Sequence, residues 1–183
     1  MSTPIPQTYL QLLETNLTPE MCLSAAIVGP YCEIFAAIGG GNYKNATKTD
    51  MLSDSDIKKV YSFFKEYKNT SSRFVLKDQG AGYEAKIFAK PEDYPSQCIQ
   101  LSGRWFTVYA GDKDTLCLLQ TDTTPSSQRY GITISRVYND SDPINFGSLV
   151  YATFNRGIGH KAEDVTAKIE SCKAAQESPP IQQ

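Results

Sequence analysis

The sequence predicts an α+β fold in which helices near both ends of the chain pack against an antiparallel β-meander. Apolar residues recur at helical spacing through most of the first 70 residues and again near the C terminus. From residue 72 the pattern changes to alternation of apolar and polar residues, which is typical of half-buried strands. Short polar or glycine-containing segments separate these strands, and such tight links join antiparallel neighbours.

The N-terminal part is predicted to be mostly helical. A first helix carries Ile5, Tyr9, Leu12 and Leu13 on one face. Thr18-Pro19-Glu20 predicts the start of a second helix. An apolar stretch follows from Met21 to Val28 and stops at Gly29-Pro30. The next apolar segment, Tyr31 to Ile38, is short, so strand and helix both remain open for it.

A third helix has the clearest pattern. Ser53 and Asp56 resemble a capping box, in which two side chains each bind the other residue's backbone N–H. An apolar stripe follows, and we interpret it as core packing. The stripe consists of Ile57, Val60, Tyr61, Phe64 and Tyr67.

Five alternating segments predict the meander, and the third of them turns at Ser102-Gly103. They are Arg73–Lys77, Tyr83–Lys90, Cys98–Tyr109, Leu116–Gln120 and Tyr130–Tyr138. Two closing helices are then predicted. One begins at Asp142-Pro143 and the other carries a stripe formed by Val165, Ile169 and Cys172. The face of the first consists of Phe146, Leu149, Val150 and Phe154.

Length and composition indicate one domain without a metal, a cofactor or a nucleic-acid partner. The 183 residues are enough to bury a hydrophobic core, and we expect residues 1–176 to form one domain and 177–183 a disordered tail. The formal net charge of −2 provides no basic field for nucleic acid. No apolar run reaches the roughly 18–20 residues that a membrane span requires. A single histidine excludes a His-rich metal cage.

No catalytic constellation stands out, so we expect no enzymatic activity. His160 would have to serve in any Ser/His or Cys/His pair, and we interpret it as a surface loop histidine. The carboxylate pairs Asp54/Asp56 and Asp112/Asp114 fall in capping or turn positions, where acids bind backbone N–H groups.

Aromatic residues on the predicted strands suggest a small-molecule pocket. If residues 104–109 form one strand, Trp105 and Tyr109 share a face while Phe106 and Val108 share the other. Large aromatics with scattered polar tips suit a ligand pocket, although a fully filled core explains them as well. The proposed lining is Tyr83, Ile87, Trp105, Tyr109, Tyr130 and Ile132.

Four Asn-x-Ser/Thr triplets indicate a secreted glycoprotein, since chance alone gives roughly one. They begin at Asn16, Asn45, Asn69 and Asn139. The alternative is that these residue types simply cluster in turns.

The five cysteines point to the same oxidising compartment. They are Cys22, Cys32, Cys98, Cys117 and Cys172. If the chain turns at Ser102-Gly103, Cys98 lies opposite Thr107 and two strand spacings from Cys117, or roughly 9–10 Å, which is too far for a disulfide. We therefore expect both to pair with cysteines among the other three, leaving one free thiol.

The segment from Tyr83 to Arg156 resembles the second half of a lipocalin, especially the salivary lipocalins of blood-feeding arthropods. The matching features are a hairpin of residues 104–110, the turn 111–114, the segment 115–119 and a final strand ending Ile134-Ser135-Arg136. The resemblance implies a lipocalin-like barrel of five to eight strands with the terminal helices packed against it. It also implies that Cys117 pairs with Cys22 or Cys32 and Cys172 with another cysteine, and that Arg136 packs near the closed end of the barrel.

These observations together predict a secreted, glycosylated, non-enzymatic protein that binds a small hydrophobic or amphipathic molecule in a barrel or a sheet–helix cavity. The alternative function is a secreted protein–protein interaction module, an effector or an immunomodulator, without a small-molecule ligand. A large exposed apolar or aromatic patch without an internal cavity would favour the alternative.

Overall fold

A computed structural model describes residues 8–39, 52–66, 74–75, 78–79, 82–83, 98–112, 114–120, 130–139 and 142–177. Within these residues the chain forms three α-helices and ten β-strands. The helices are α1 (Tyr9–Asn16), α2 (Asp54–Glu66) and α3 (Ala162–Glu177). The strands are β1 (Ser24–Val28), β2 (Ile34–Ile38), β3 (Phe74–Val75), β4 (Asp78–Gln79), β5 (Gly82–Tyr83), β6 (Cys98–Leu101), β7 (Arg104–Gly111), β8 (Thr115–Gln120), β9 (Tyr130–Asn139) and β10 (Asp142–Asn155).

Eight strands form one antiparallel sheet, which confirms the predicted fold class. The strand order is β2-β1-β10-β9-β8-β7-β3, and β6 also pairs with β7. The strands β6 to β9 correspond to the last three of the five predicted segments, and each pairs antiparallel with the next. The first two segments do not continue this order, because β3 pairs with β7 and β5 pairs with β4 in a separate two-stranded sheet. In the described part of the chain no pairing joins β2 to β3 or β6, so the sheet is open rather than a closed barrel.

Helices cover both faces of the sheet, giving three layers. On one face, called the α1/α3 face, α1 and α3 bury Leu13, Val165 and Ile169 against strand residues such as Ile27 and Val150. On the opposite face, called the α2 face, α2 packs against another set. That set includes Val28, Phe106, Val108, Leu118, Ile132 and Tyr151. Neighbouring strand residues alternate between the two cores, as the pleat requires.

Two elements predicted as helices are strands instead. The stretch after Thr18 forms a turn over residues 19–21 and then β1, all of whose residues are buried. The segment from Asp142 forms β10, the longest strand. Both strands are central and apolar on both faces, and periodicity cannot separate such a strand from a buried helix. Tyr31 to Ile38, left open above, contains strand β2.

The remaining helices follow their sequence signals. The Ser53 hydroxyl accepts from the Asp56 N–H at 3.2 Å while Asp56 Oδ2 accepts from the Ser53 N–H at 3.1 Å, which confirms the capping box of α2. α1 begins with a second capping box, between Thr8 and Gln11. Val165, Ile169 and Cys172 are buried on α3 as predicted.

One glycine is required by close packing between β9 and β10. A Cβ on Gly131 would clash with the Phe154 ring, because the ring occupies the space that any other side chain would fill. Phe154 is fully buried there and fills the α1/α3 core.

Candidate functional site

The structure places the predicted pocket residues on opposite faces of the sheet. Phe106 lies in the α2 core, so its neighbour Trp105 points to the α1/α3 face, where it is 54% exposed. Tyr130 and Ile132 lie against the α2 core. The side chains of Tyr83 and Tyr109, and the whole of Ile87, lie outside the described residues. Trp105 therefore does not share a pocket with Tyr130 and Ile132.

Tyr130 and Ile132 do line a small hollow on the α2 face. Its other walls include Ser102, Arg104, Phe106 and Thr153. The Arg104 guanidinium lies 4.0 Å above the centre of the Tyr130 ring, a cation–π contact. The hollow has room for about one water molecule, far less than the volume of ligand pockets. The hollow combines the positive charge of Arg104 with apolar side chains such as Phe106 and Ile132, and this combination suits an amphipathic anion.

The turn between β1 and β2 presents the most exposed aromatic side chain that the structure describes. Tyr31 is 86% exposed and Ile34, three residues later, is 61% exposed. Backbone bonds close the turn, from the Gly29 N–H to the Glu33 carbonyl at 2.7 Å and from the Cys32 N–H to the Gly29 carbonyl at 3.0 Å. Tyr31 therefore projects from a turn whose backbone is already fixed.

Helix α1 and a β-bulge set the orientation of this hairpin. Ile27 pairs with Ala36 and Val28 with Ile34, so Phe35 is the extra residue of a bulge. Its ring stacks on Tyr9 of α1, with ring centres 5.3 Å apart and planes 19° from parallel. Since Val28 belongs to the α2 core, its partner Ile34 points to the α2 face.

β2 is also an edge strand in the part of the chain that the structure describes, because β1 is its single partner there. An edge strand offers backbone N–H and C=O groups to another chain. We use the name hairpin surface for Tyr31, Ile34 and the outer edge of β2. It combines two exposed apolar side chains with backbone groups that can add a strand.

The cysteines occupy both faces. Cys22, Cys117 and Cys172 are buried in the α1/α3 core, whereas Cys32 packs at the α2 core and donates from Sγ to the Asp54 carbonyl at 3.6 Å. These four are thiols in this structure, and the Cys98 side chain lies outside the described residues. The register places Cys98 opposite Thr107, as predicted, and Thr107 opposite Leu119. Two strand spacings therefore separate Cys98 from β8, and the absence of a Cys98–Cys117 disulfide stays a prediction.

Two of the four Asn-x-Ser/Thr triplets fall at ends of described elements. Asn16 is the last residue of α1, and its Nδ2 donates to the Leu12 carbonyl at 2.9 Å. A glycan replaces one of the two Nδ2 hydrogens, so that bond can persist in a glycoprotein. Asn139 ends β9, while Asn45 and Asn69 lie outside the described residues.

His160 is buried, not a surface residue as the sequence suggested. Its Nδ1 accepts from the Asn155 N–H at 3.0 Å, and the ring also bonds the Pro19 carbonyl. Burial lowers the pKa of its imidazole. A ring that is held by two backbone groups and is 4% exposed links β10 to the turn after α1, which is a structural role.

The carboxylates have the capping and turn roles predicted for them. Asp112 Oδ1 accepts from the Asp114 and Thr115 N–H groups, and Asp56 caps α2. Arg136, assigned above by the lipocalin resemblance to a barrel end, is buried with its Nε 3.4 Å from Asp114 Oδ1 and its guanidinium over Phe64.

Within the described ranges no three His, Cys, Asp or Glu side chains form a group that could hold a metal ion. None of the helices described there is long and apolar enough to cross a membrane.

Sequence reasoning did not identify the hairpin surface. The signal was present, since Gly29-Pro30 separates two short apolar runs and so marks a turn between strands. The first run is predicted as a helix and the second is left open between strand and helix, so the sequence does not place Tyr31 at the tip of a hairpin.

Comparison with known proteins supports the fold and goes no further. No family model matches the chain, and no curated protein matches it. Among solved structures, profilin II of Acanthamoeba castellanii in its cubic crystal form is similar, with a TM-score of 0.51 and 10% sequence identity. The likeness covers 93% of this chain and 97% of that chain. The chain therefore has a profilin-like arrangement of helices packed on an antiparallel sheet.

Proposed function

We propose that this chain is a secreted, glycosylated, non-enzymatic module that binds a partner protein through the hairpin surface. The observation that carries the proposal is Tyr31, 86% exposed on a hydrogen-bonded turn beside the 61% exposed Ile34. Tyrosine is enriched among residues that dominate binding energy, and a fixed turn reduces the entropy lost on binding.

The edge of β2 suggests how the partner binds. An extended segment of the partner adds to β2 as a further strand, while Tyr31 and Ile34 occupy its side-chain pockets. Because Ile34 points to the α2 face, that side of the partner strand is apolar. Secretion and glycosylation belong to the same proposal and are supported by the four Asn-x-Ser/Thr triplets.

A comparison of three proteins tests this function. The wild type, the double variant Tyr31→Ala/Ile34→Ala and the control Leu10→Ala/Ile158→Ala are immobilised, and proteins retained from secretions of the source are quantified. Leu10 and Ile158 are 44% and 46% exposed, so the control removes comparable apolar groups elsewhere. The dissociation constant of each variant is then measured with the purified partner.

We expect the control to bind as the wild type does and the hairpin variant to lose about 30-fold in affinity or more. Loss of about 2 kcal/mol of apolar burial corresponds to that factor. Equal binding by both variants would contradict the proposal.

A second candidate function is binding of a small amphipathic molecule at the hollow beneath Arg104. It is favoured by the presence there of Tyr130 and Ile132, two of the residues predicted to line a pocket. Opening the hollow requires Arg104 to leave the Tyr130 ring. Native mass spectrometry of protein purified from its source tests this function. A bound small molecule that is lost in Arg104→Ala would support it. A measured mass that equals the chain plus its glycans, with no bound molecule, would contradict it.

A further inference from the structure

A carboxylate adjoins the two exposed apolar side chains of the hairpin surface. Glu33 is exposed and stands between Tyr31 and Ile34 in the sequence. Its Oε2 accepts from the Tyr31 N–H at 3.3 Å, and its backbone carbonyl accepts from the Gly29 N–H at 2.7 Å. The carboxylate is therefore held by the same turn that fixes Tyr31.

An aromatic ring lies beside this carboxylate. A Cβ on Gly29 would clash with both the Glu33 carboxylate and the Phe35 ring, so these two groups lie against the same point of the turn. The Phe35 ring stacks on Tyr9, and both residues are half-buried. A carboxylate next to an aromatic ring suits a lysine ammonium or an arginine guanidinium, which can form an ion pair and a cation–π contact there.

The chain itself provides no such cation in the part that the structure describes. No lysine, arginine or histidine of that part forms an ion pair with Glu33. A second exposed acid, Asp54, lies near the turn, because its carbonyl accepts from the Cys32 Sγ at 3.6 Å. Lys58 follows Asp54 by one helical turn and can balance its charge. The negative charge of Glu33 is therefore the one that an incoming cation can neutralise.

We propose that the partner segment that adds to β2 carries a lysine or arginine whose cation binds the Glu33 carboxylate, and an apolar residue that packs on Ile34. This inference rests on the proposed function, since it names the chemistry of the segment that the hairpin surface binds.

The two faces of the hairpin predict the spacing of these residues in the partner. Ile34 points to the α2 face, whereas the Glu33 carboxylate lies with the Phe35 ring, which packs against the α1/α3 core. A partner strand therefore presents its basic and its apolar residue on opposite faces. Neighbouring residues of a strand point to opposite faces, so the pattern is an alternation of basic and apolar residues.

An ion pair at the edge of an interface acts mainly on specificity and on the rate of association. Its contribution weakens as salt screens the two charges. We therefore expect Glu33 to select basic segments over acidic ones in a salt-dependent way, while Tyr31 and Ile34 provide most of the affinity.

Selection of random peptides displayed on phage tests this inference without the natural partner. The peptides are selected on the immobilised wild type, on Glu33→Lys and on the control Glu20→Lys. Glu20 is an exposed acid in the turn before β1, at the opposite end of that strand from the hairpin turn. Peptides that also bind Tyr31→Ala/Ile34→Ala are discarded, so that those retained depend on the hairpin surface.

We expect the wild type and the control to select peptides in which lysine or arginine alternates with apolar residues. Glu33→Lys should select aspartate or glutamate in place of the basic residue, because the charge it presents is reversed.

Dissociation constants of the synthesised peptides then separate the charge of Glu33 from its role in the turn. Glu33→Gln keeps an acceptor for the Tyr31 N–H and loses the charge. We expect this variant to bind a basic peptide with little dependence on salt, and Glu33→Lys to bind it about 10-fold more weakly than the wild type does.

Two results would overturn the inference and leave the proposed function intact. One is a set of peptides that depend on Tyr31 and Ile34 but show no preference for basic residues. The other is selection of the same charges by the wild type and Glu33→Lys. If no recovered peptide depends on Tyr31 and Ile34, the proposed function itself is contradicted, and this inference with it.

Discussion

At the scale of single residues, His160 shows how burial changes the role of a titratable group. Its Nδ1 serves as an acceptor for the Asn155 N–H, which requires a neutral ring. Protonation of Nδ1 would place its N–H against the N–H of Asn155. Burial lowers the pKa of the ring below its ordinary value of 6.5, so the folded chain holds this proton less tightly than the unfolded chain does.

We therefore expect stability to fall as pH decreases from 7 through 6.5 and on to the folded-state pKa of His160. The unfolded state binds more protons in that window, and linkage then lowers the free energy of unfolding. Because the chain has one histidine, its NMR signal can be titrated without overlap. A midpoint at or above 6.5 in the folded protein would contradict this assignment, and His160→Phe should remove the corresponding part of the pH dependence.

At the scale of elements, the Asp56 carboxylate attaches α2 to the sheet. Its Oδ2 accepts from the Ser53 N–H at 3.1 Å and from the Ser102 N–H at 3.2 Å, so one oxygen joins the helix start to the β6–β7 turn. Lys59 Nζ adds a bond to the Gln100 carbonyl at 3.3 Å. The segment before α2 is fixed in turn by Tyr151, whose hydroxyl accepts from the Leu52 N–H at 3.2 Å.

Asp56→Ala should reduce the free energy of unfolding by about 2–3 kcal/mol, because two backbone N–H groups lose their acceptor in a buried position. Asp54→Ala is the matched control: it removes an exposed acid from the same first turn and should cost under about 1 kcal/mol. Denaturant unfolding measures both changes. Equal losses for the two variants would show that Asp56 acts only through the helix dipole.

The same elements show what the sequence could and could not predict. The capping residues Ser53 and Asp56, and the alternation that places Phe106 and Val108 on one face, identified α2 and β7 correctly. β1 and β10 were missed because their residues are apolar on both faces, a pattern that arises here because helices cover both sides of the sheet. The pocket prediction placed Trp105 with Tyr130 because both are aromatic strand residues. The face each one occupies depends on strand pairing, which spacing alone does not determine.

At the scale of the whole molecule, the three layers bury apolar residues on both faces of the sheet. Both faces of the open sheet are packed, and the hollow at Arg104 admits about one water molecule. Tyr31 and Ile34 of the β1–β2 hairpin are the two most exposed large hydrophobic side chains in the described part of the chain, and packing does not explain them. The turn of this hairpin lies beyond the pairing of Val28 with Leu149, the last pair between β1 and β10.

Site-specific photocrosslinking at position 31 tests the central claim most directly. Tyr31 is replaced by a photoreactive phenylalanine, and Ile158 is replaced in the same way as a control. β1 pairs Ser24 with Thr153, so Ile158 lies at the opposite end of that strand from Tyr31. After irradiation with secretions of the source, we expect a protein adduct from position 31 whose cross-linked peptide maps to one extended segment of the partner, and no such adduct from position 158. An adduct from position 158 together with none from position 31 would contradict the assignment of the hairpin surface.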